Sequence, residues 1–356
     1  MPSPVFFAPI ADNEPVESVQ EKVGAVCDRA GFPAMVSKGD IVALKVHFGE
    51  EHNHNFITAP TYMPLVERVK RRQGKPYWTD TNTLYRGQRS NAVDHALLAH
   101  KHGFSIEATG VPVIIADGVA GRDEVRVEIE GRHSKDVGIA SAVAASDVLF
   151  VLTHATGHLV AGFGGAIKNL GMGLSARKGK LYQHSVVKPW VDATRCRGDG
   201  ACVRFCPENA IHLDNDKAIL DPALCIGCGE CLAMCRPGAI QFAWKMESKG
   251  LQERMVEQAW GVLKQKAGKI GYLTVICNVG KDCDCLASHP RDMLVKSVGV
   301  VAGTDLVAVE QASVDLVEKA LGRNLREVAY DVDYTVQIRY AEALGMGSAA
   351  YELITV

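Results

Sequence analysis

Residues Cys196–Cys235 read CRGDGACVRFCPENAIHLDNDKAILDPALCIGCGECLAMC. The second run, Cys225, Cys228, Cys231 and Cys235, is an uninterrupted C-x2-C-x2-C-x3-C. The first run keeps the same offsets through Cys196, Cys202 and Cys206 but carries Asp199 where a second cysteine is expected. Ala210–Ile211 and Ala239–Ile240 each begin four residues beyond the last cysteine of their run, the trace of a twofold internal repeat.

A C-x2-C-x2-C loop presents three thiolates to one cubane, and the cysteine three residues on points at the other cubane. The spacing is that of a bacterial-type two-cluster ferredoxin with one ligand substituted. It predicts one cluster on Cys196, Cys202 and Cys235 with Asp199 at the fourth corner. The second is a [4Fe–4S] cluster on Cys206, Cys225, Cys228 and Cys231. Carboxylate is a harder and weaker ligand than thiolate for iron in this setting. The first cluster is therefore [4Fe–4S] or [3Fe–4S]. A closed zinc site on some of these cysteines is the competing reading.

Outward from this stretch, 356 residues suffice for two or three domains with one sizeable α/β core. A net charge of −2 implies no bulk attraction to nucleic acid or anionic lipid. No uncharged apolar tract is long enough to span a bilayer, and MPSPVFFAPIADNEP has neither the basic nor the long apolar region of an export signal. The eleven cysteines are odd in number and clustered, which argues for metal ligation in a reducing cytoplasm, not a disulfide scaffold.

Apolar runs at 5–10, 41–46, 76–79, 111–116, 148–153, 270–276 and 298–301 read as strands. Helical spacing covers 16–30, 60–72, 91–102, 137–145, 247–267 and 335–344, and Thr304 is placed to cap a further helix. Residues 123–131 alternate as an edge strand or hairpin does. This alternation predicts an α/β fold, a mostly parallel sheet with helices on both faces. Residues 1–188 and 246–356 form the host. Residues 189–245 form a dicluster ferredoxin-like unit inserted into it or packed beside it.

Three polar groups lie outside the cluster ligands. Cys277, Cys283 and Cys285 follow the apolar run 270–276, where active residues of α/β sheets tend to sit. Cys283 and Cys285, with His289 or a distant histidine, suit an additional zinc or iron. They also suit redox thiol chemistry, or are ordinary thiols in a tight loop. Cys277 reads equally as a functional thiol or a buried small hydrophobe, and Cys27, in a predicted helix, as structural. His47, Glu50, His52 and His54 follow the run 41–46. His154, His158, Lys168 and Asn169 lie in THATGHLVAGFGGAIKNLGMG, whose glycines permit close backbone approach to an anion. No G-x-G-x-x-G or Walker pattern is present.

With KVHFGE at 45–50, GHLVAGFGGAIKNLGMG at 157–173, CDC at 283–285 and GTDLVAVEQASVDLV at 303–317, the chain resembles the domain-of-unknown-function 362 family of iron–sulfur proteins. Many relatives keep all cysteines in the first run, so Asp199 is a departure. The resemblance implies a host domain with its own polar patch joined to an electron-transfer module, and that His47, His158, Lys168, Cys283, Cys285 and Asp305 line one site. It supplies no reaction.

Two readings of function follow. One is an oxidoreductase passing single electrons from the clusters to a small anionic substrate or second metal in the α/β domain. The other is a ferredoxin-like carrier or adaptor docking onto a partner oxidoreductase. Both expect an electron-donor or -acceptor protein. Neither expects nucleic acid, and a structural use of the clusters ranks behind both.

Overall fold

The apolar runs become strands because each hides alternate side chains on opposite faces of one sheet. The computed structural model describes residues 2–85, 87–184, 188–225, 227, 229–243, 247–286 and 293–356. Eight strands form the main sheet: β1 (Ser3–Pro9), β2 (Ile41–Lys45), β3 (Lys75–Asp80), β4 (Val113–Ile115), β5 (Val148–His154), β6 (Ile270–Gly280), β7 (Met293–Gly303) and β8 (Tyr351–Thr355). Their order across the sheet is β8-β1-β7-β6-β5-β2-β3-β4. From β6 to β4 every pairing is parallel; β7 runs antiparallel to both β6 and β1.

Period-two alternation divides the core. Val42, Leu44, Val148, Phe150 and Leu152 face the layer of helices Val16–Arg29 and Ala59–Arg71. Ala43, Leu149 and Val151 face helices Ala166–Gly171, Ser248–Gln265 and Leu306–Leu321. Both faces are covered, which explains why β5 is buried at every residue and reads as a continuous apolar run.

The chain leaves β2 for β3 and β4 on one side, then returns to β5 on the other side of β2. The carboxyl ends of β2 and β5 therefore flank a topological switch point, where ligands bind in open α/β sheets.

The structure corrects three local expectations. Residues 137–145 are not one helix: Asp136–Ala140 is a strand paired antiparallel with Glu124–Glu128, and only Ser141–Ala144 turns helically. Val137 and Ile139 alternate with Asp136 and Gly138, and β-branched residues at period two outweigh so short a helical pattern. Thr304 is not the cap; Asp305 accepts from the N–H groups of Val307 and Ala308 at 2.9 and 3.0 Å. The late strand is longer than 298–301, spanning Met293–Gly303.

Between helices Arg177–His184 and Ser248–Gln265 lies a small unit with its own core of Cys202, Ile211, Ala218, Cys231 and Ile240. Ile211–Asp214 pairs with Lys217–Leu220, and Trp190–Val191 with Ile240–Gln241. No helix among the described residues is long and apolar enough to cross a membrane.

Helices Ala166–Gly171 and Ser248–Gln265 meet at Gly171, where an added Cβ would overlap the Met255 carbonyl oxygen. Backbone cannot yield as a side chain can. Gly171→Ala is expected to lower the unfolding free energy by about 1–3 kcal/mol, read as a lower denaturant midpoint at unchanged slope.

Candidate functional site

Parallel strands end on the same side of a sheet, so β2, β3, β5 and β6 deliver four separated segments to one cavity of about 540 Å3. Five of the six site residues expected in the host line it: His47, His158, Lys168, Cys283 and Cys285. Asp305 does not. Besides capping helix Leu306–Leu321 it accepts from the Ser3 hydroxyl at 2.7 Å and the Ser348 N–H at 3.0 Å. Its two carboxylate oxygens are occupied by these four fold contacts. His52 and His54 are exposed and outside the cavity wall. His289 lies outside the described residues.

The cavity floor is an ion network. Lys45, at the end of β2, is buried and reaches Asp80 at 3.1 Å and Asn169 Oδ1 at 2.6 Å. Asn169 in turn donates to the Leu152 carbonyl and Thr153 hydroxyl at 3.0 Å each. Arg89 approaches Asp80 at 3.4 Å and Glu50 at 3.1 Å, and Tyr85 donates to Glu50 at 2.8 Å. Burial pushes the Asp80 carboxyl up, but Lys45, His95 and their neighbours outweigh it and hold it well below the usual range. Burial pushes Lys45 down. One carboxylate shared by two cations stays ionised, and the ammonium is the less comfortable partner. Lys180 bonds the Asn82 carbonyl at 2.6 Å and is pushed down to about 8 by burial.

The roof is the turn at 283–286, closed by Leu286 N–H to the Cys283 carbonyl at 3.1 Å. Asp284 points to His154, Nδ1 to Oδ2 at 2.8 Å, while His154 Nε2 faces the Cys277 carbonyl at 2.7 Å. With acceptors at both nitrogens, His154 is held up against its burial by Asp284. That buried pair leaves the two flanking thiols facing the cavity, where they share a hydrogen bond. Hydrogen bonding from Cys283 lowers Cys285 well below an ordinary thiol, with Lys168 and His47 adding to it; the same bond and burial raise Cys283. The Gly49 N–H donates to His47 Nδ1 at 3.0 Å, which leaves Nε2 to carry the ring proton, 3.4 Å from the Cys285 sulfur.

Lys168 makes no hydrogen bond or ion pair among the described residues. Burial opposes its charge, but Cys283, Cys285 and Asp284 hold its pKa up. His158 accepts from the Val160 and Ala161 N–H groups through Nδ1, at 3.2 and 2.9 Å. Burial, with Lys168, pushes it well down, so it is neutral. His184 is pushed down to about 4 for the same reasons. The arrangement offers a cationic anchor, a polarised thiol pair and neutral imidazoles in one pocket. Among the described residues no three His, Cys, Asp or Glu side chains converge as they would around one metal ion.

In the small unit, two voids match the two cysteine sets. One is lined by Cys196, Asp199, Cys202 and Cys235, the other by Cys206, Cys225 and Cys231. Cys228 lies outside the described residues. Backbone N–H groups aim at the sulfurs: Ala218 at Cys196 (3.3 Å), Ala210 at Cys206 (3.2 Å), Gly227 at Cys225 (3.4 Å) and Ala239 at Cys235 (3.1 Å). Ala210 and Ala239 are the repeat-related pair seen in the sequence. Gly198 and Gly227 share a positive φ, 68° and 71°, which bends both loops around their voids. Such thiolate sets, wrapped by N–H donors, fit cubane clusters. Asp199 is exposed and bonds the Ala201 N–H at 3.0 Å, yet it stays in the wall of the first void.

This unit abuts the cavity. Leu84, in the cavity wall, packs with Leu181, Phe242 and Leu232, and Gly229 lies directly on Leu181. Arg122 of the host pairs with Glu230 and stands over the Phe205 ring at 4.5 Å.

The profile described as a domain of unknown function, DUF362, matches residues 42–315. The chain belongs to the DUF362 family. The match contains every cavity residue and both cysteine runs. Within the DUF362 chain the cysteine unit is ferredoxin-like. It is 45% identical over 42 residues to a ferredoxin 7Fe of Hydrogenibacillus schlegelii, covering 12% of this chain and 54% of that one. It is 34% identical over 68 residues to the pyruvate synthase subunit PorD of Methanothermobacter marburgensis, covering 19% and 80%. The DUF362 chain thus spans about half the length of the first of these relatives. Among solved structures, the lactate racemase apoprotein of Thermoanaerobacterium thermosaccharolyticum aligns at a TM-score of 0.49 and 10% identity, over 89% of this chain and 57% of that one.

Asp80, Tyr85, Arg89, Lys180, His184 and Asp284 were absent from the sequence-based site. None carries a local motif except Asp284, which stands between the two cysteines.

Two outcomes are expected. Alkylation of half-buried Cys285 should outpace that of buried Cys283, with a rate–pH curve lying below that of a free thiol, about 8.5. Lys168→Gln should move the curve upward; a curve at or above the free-thiol position contradicts the assignment. Asp305→Ala should lower stability by about 1–2 kcal/mol through the lost cap, measured by denaturation, and leave the Cys285 curve in place.

Proposed function

We propose that this DUF362 protein is an iron–sulfur oxidoreductase that exchanges single electrons between two cubane clusters and a small anionic substrate in the host cavity. The division that suits this reading is a host of residues 1–188 and 246–356 with residues 189–245 inserted. Cys196, Cys202 and Cys235 with Asp199 would hold one cluster, and Cys206, Cys225, Cys228 and Cys231 the other. Bound there, the clusters supply one-electron redox equivalents, and a partner protein exchanges electrons with them. Asp199 suits either a three- or a four-iron first cluster. The cysteine load suits a reducing, cytoplasmic setting.

The observation that carries the reading is the shared wall. Leu84 lines the cavity, Leu181 packs on Leu84, and Gly229, in the second cysteine run, packs on Leu181. Few side chains therefore separate the cysteine unit from the pocket. Inside the pocket Lys168, which makes no hydrogen bond or ion pair among the described residues, is a cation for a carboxylate or phosphate group. His158 presents Nε2–H as a neutral donor. His47 and Cys285 hold a proton between nitrogen and sulfur, positioned to be passed to a reduced substrate.

Full-length, anaerobically prepared protein should contain about seven or eight irons with matching acid-labile sulfide and no stoichiometric zinc. A panel of small carboxylates and phosphates should include compounds that reoxidise the reduced clusters. Lys168→Gln and Cys285→Ser should retain iron and lose that reoxidation by at least an order of magnitude. Stoichiometric zinc in place of iron sinks the reading. Reoxidation indifferent to both substitutions favours the other reading, a ferredoxin-like carrier docking onto a partner oxidoreductase, which the ferredoxin relatives support.

A further inference from the structure

We propose that Cys283 and Cys285 are a two-electron relay, cycling between a dithiol and an intramolecular disulfide. The inference rests on the proposed redox reading and deepens it, naming the group that couples one-electron carriers to two-electron chemistry.

Four observations place the pair. Cys283 and Cys285 are free thiols separated by a single residue. They occupy the first and third positions of a turn closed by the Leu286 N–H to Cys283 carbonyl bond at 3.1 Å, which draws their side chains together. The intervening Asp284 is tied outward to His154 at 2.8 Å, a contact between nearly buried side chains. Both cysteines line the cavity beside Lys168, and His47 Nε2 lies 3.4 Å from the Cys285 sulfur. A disulfide needs close Cβ approach, and a turn that sets two cysteines one residue apart in one cavity wall favours it. Attack requires one thiolate and one partner sulfur. The unequal environments of the two thiols provide that division.

The balance is simple. The disulfide takes up two electrons and two protons, the S–S bond breaks, and each sulfur ends as a thiol; with Cys285 left as thiolate, one proton is retained. In reverse, the small carboxylate- or phosphate-bearing substrate of the proposed reading, in its oxidised form, accepts the electron pair and the released protons, and the S–S bond re-forms. In the forward direction the two electrons arrive singly through the cysteine unit from a reduced, low-potential electron-transfer protein. The pair stores the first equivalent's partner until a substrate can take both.

Trypsin isolates the pair for measurement. Cleavage after Lys281 and Arg291 releases DCDCLASHPR, which contains Cys283 and Cys285 and no other cysteine. Full-length cluster-loaded protein is equilibrated anaerobically in a graded dithiothreitol redox series, quenched in acid, alkylated and digested. Expected is a reversible, single-midpoint conversion between the doubly alkylated peptide and an unalkylated form two hydrogens lighter. A peptide doubly alkylated across the series, or carrying only mixed disulfides with the buffer, overturns the relay.

A second arm separates this from the electron-supply reading. Disulfide-form protein is mixed, without thiols, with a reduced ferredoxin, and compared with Cys225→Ser protein. Opening in the first and at least ten-fold slower opening in the second supports both inferences. A pair that closes and opens in the thiol series but opens equally in both proteins keeps the thiol pair and overturns its link to the clusters.

Discussion

The buried ammonium of Lys45 is the point on which the site depends. It sits where the chain reverses direction across the sheet, at the end of β2. Its contacts to Asp80 and Asn169 join three strand ends and one helix: β2 through itself, β3 through Asp80, and β5 through Asn169, which also belongs to helix Ala166–Gly171. Removing either partner of a buried pair strands the other charge without solvent, at a cost of about 3–5 kcal/mol. The same pair is weak evidence for net stability, because both ions first had to leave water. Its consequence is geometric: Lys168, one helical position before Asn169, is held with its ammonium over the cavity.

That geometry explains the charge pattern of the pocket. Lys45 and Arg89 divide Asp80, and Arg89 also takes Glu50, so these cations are spent within the floor. Lys168 is left for the cavity contents and the thiols. The positive potential it creates acts on Cys285, and the hydrogen bond between the sulfurs makes the response unequal. The opposite shifts of the two thiols are therefore consequences of packing.

Legibility in the sequence followed locality. The cysteine unit could be read because cluster ligation imposes short fixed spacings, and the Ala210 and Ala239 repeat marks the N–H groups that reach Cys206 and Cys235. His47, His158, Lys168, Cys283 and Cys285 could be read as one set through the family resemblance, and the parallel strands bring them to one cavity. Asp80 and Arg89 could not, since their role exists only once β2 and β3 pair. Asp305 entered the same set through the resemblance alone. An aspartate before an amphipathic helix looks the same whether it caps or catalyses, and the Ser3 and Ser348 contacts that distinguish the two come from both ends of the chain. Residues 137–145 were misread because four residues of Val, Gly, Ile and Ala satisfy a helical and an alternating pattern equally. The decision falls to pairing with Glu124–Glu128, which is not local.

The position of the cysteine unit in the chain carries the same logic one step further. The helix that precedes it, Arg177–His184, contributes Lys180 and His184 to the cavity; the helix that follows, Ser248–Gln265, contributes Leu251. The chain thus departs for the unit from one cavity wall and returns into another. A unit tethered at one end could swing away from the pocket. Here the Leu181–Gly229 packing and the Arg122–Glu230 pair seat it against the host. Electron transfer depends steeply on separation, so a fixed seat beside the pocket matters more for a chain that delivers electrons internally than for one that only carries them to a partner. The doubly anchored seat is what the host domain adds to a ferredoxin-like unit.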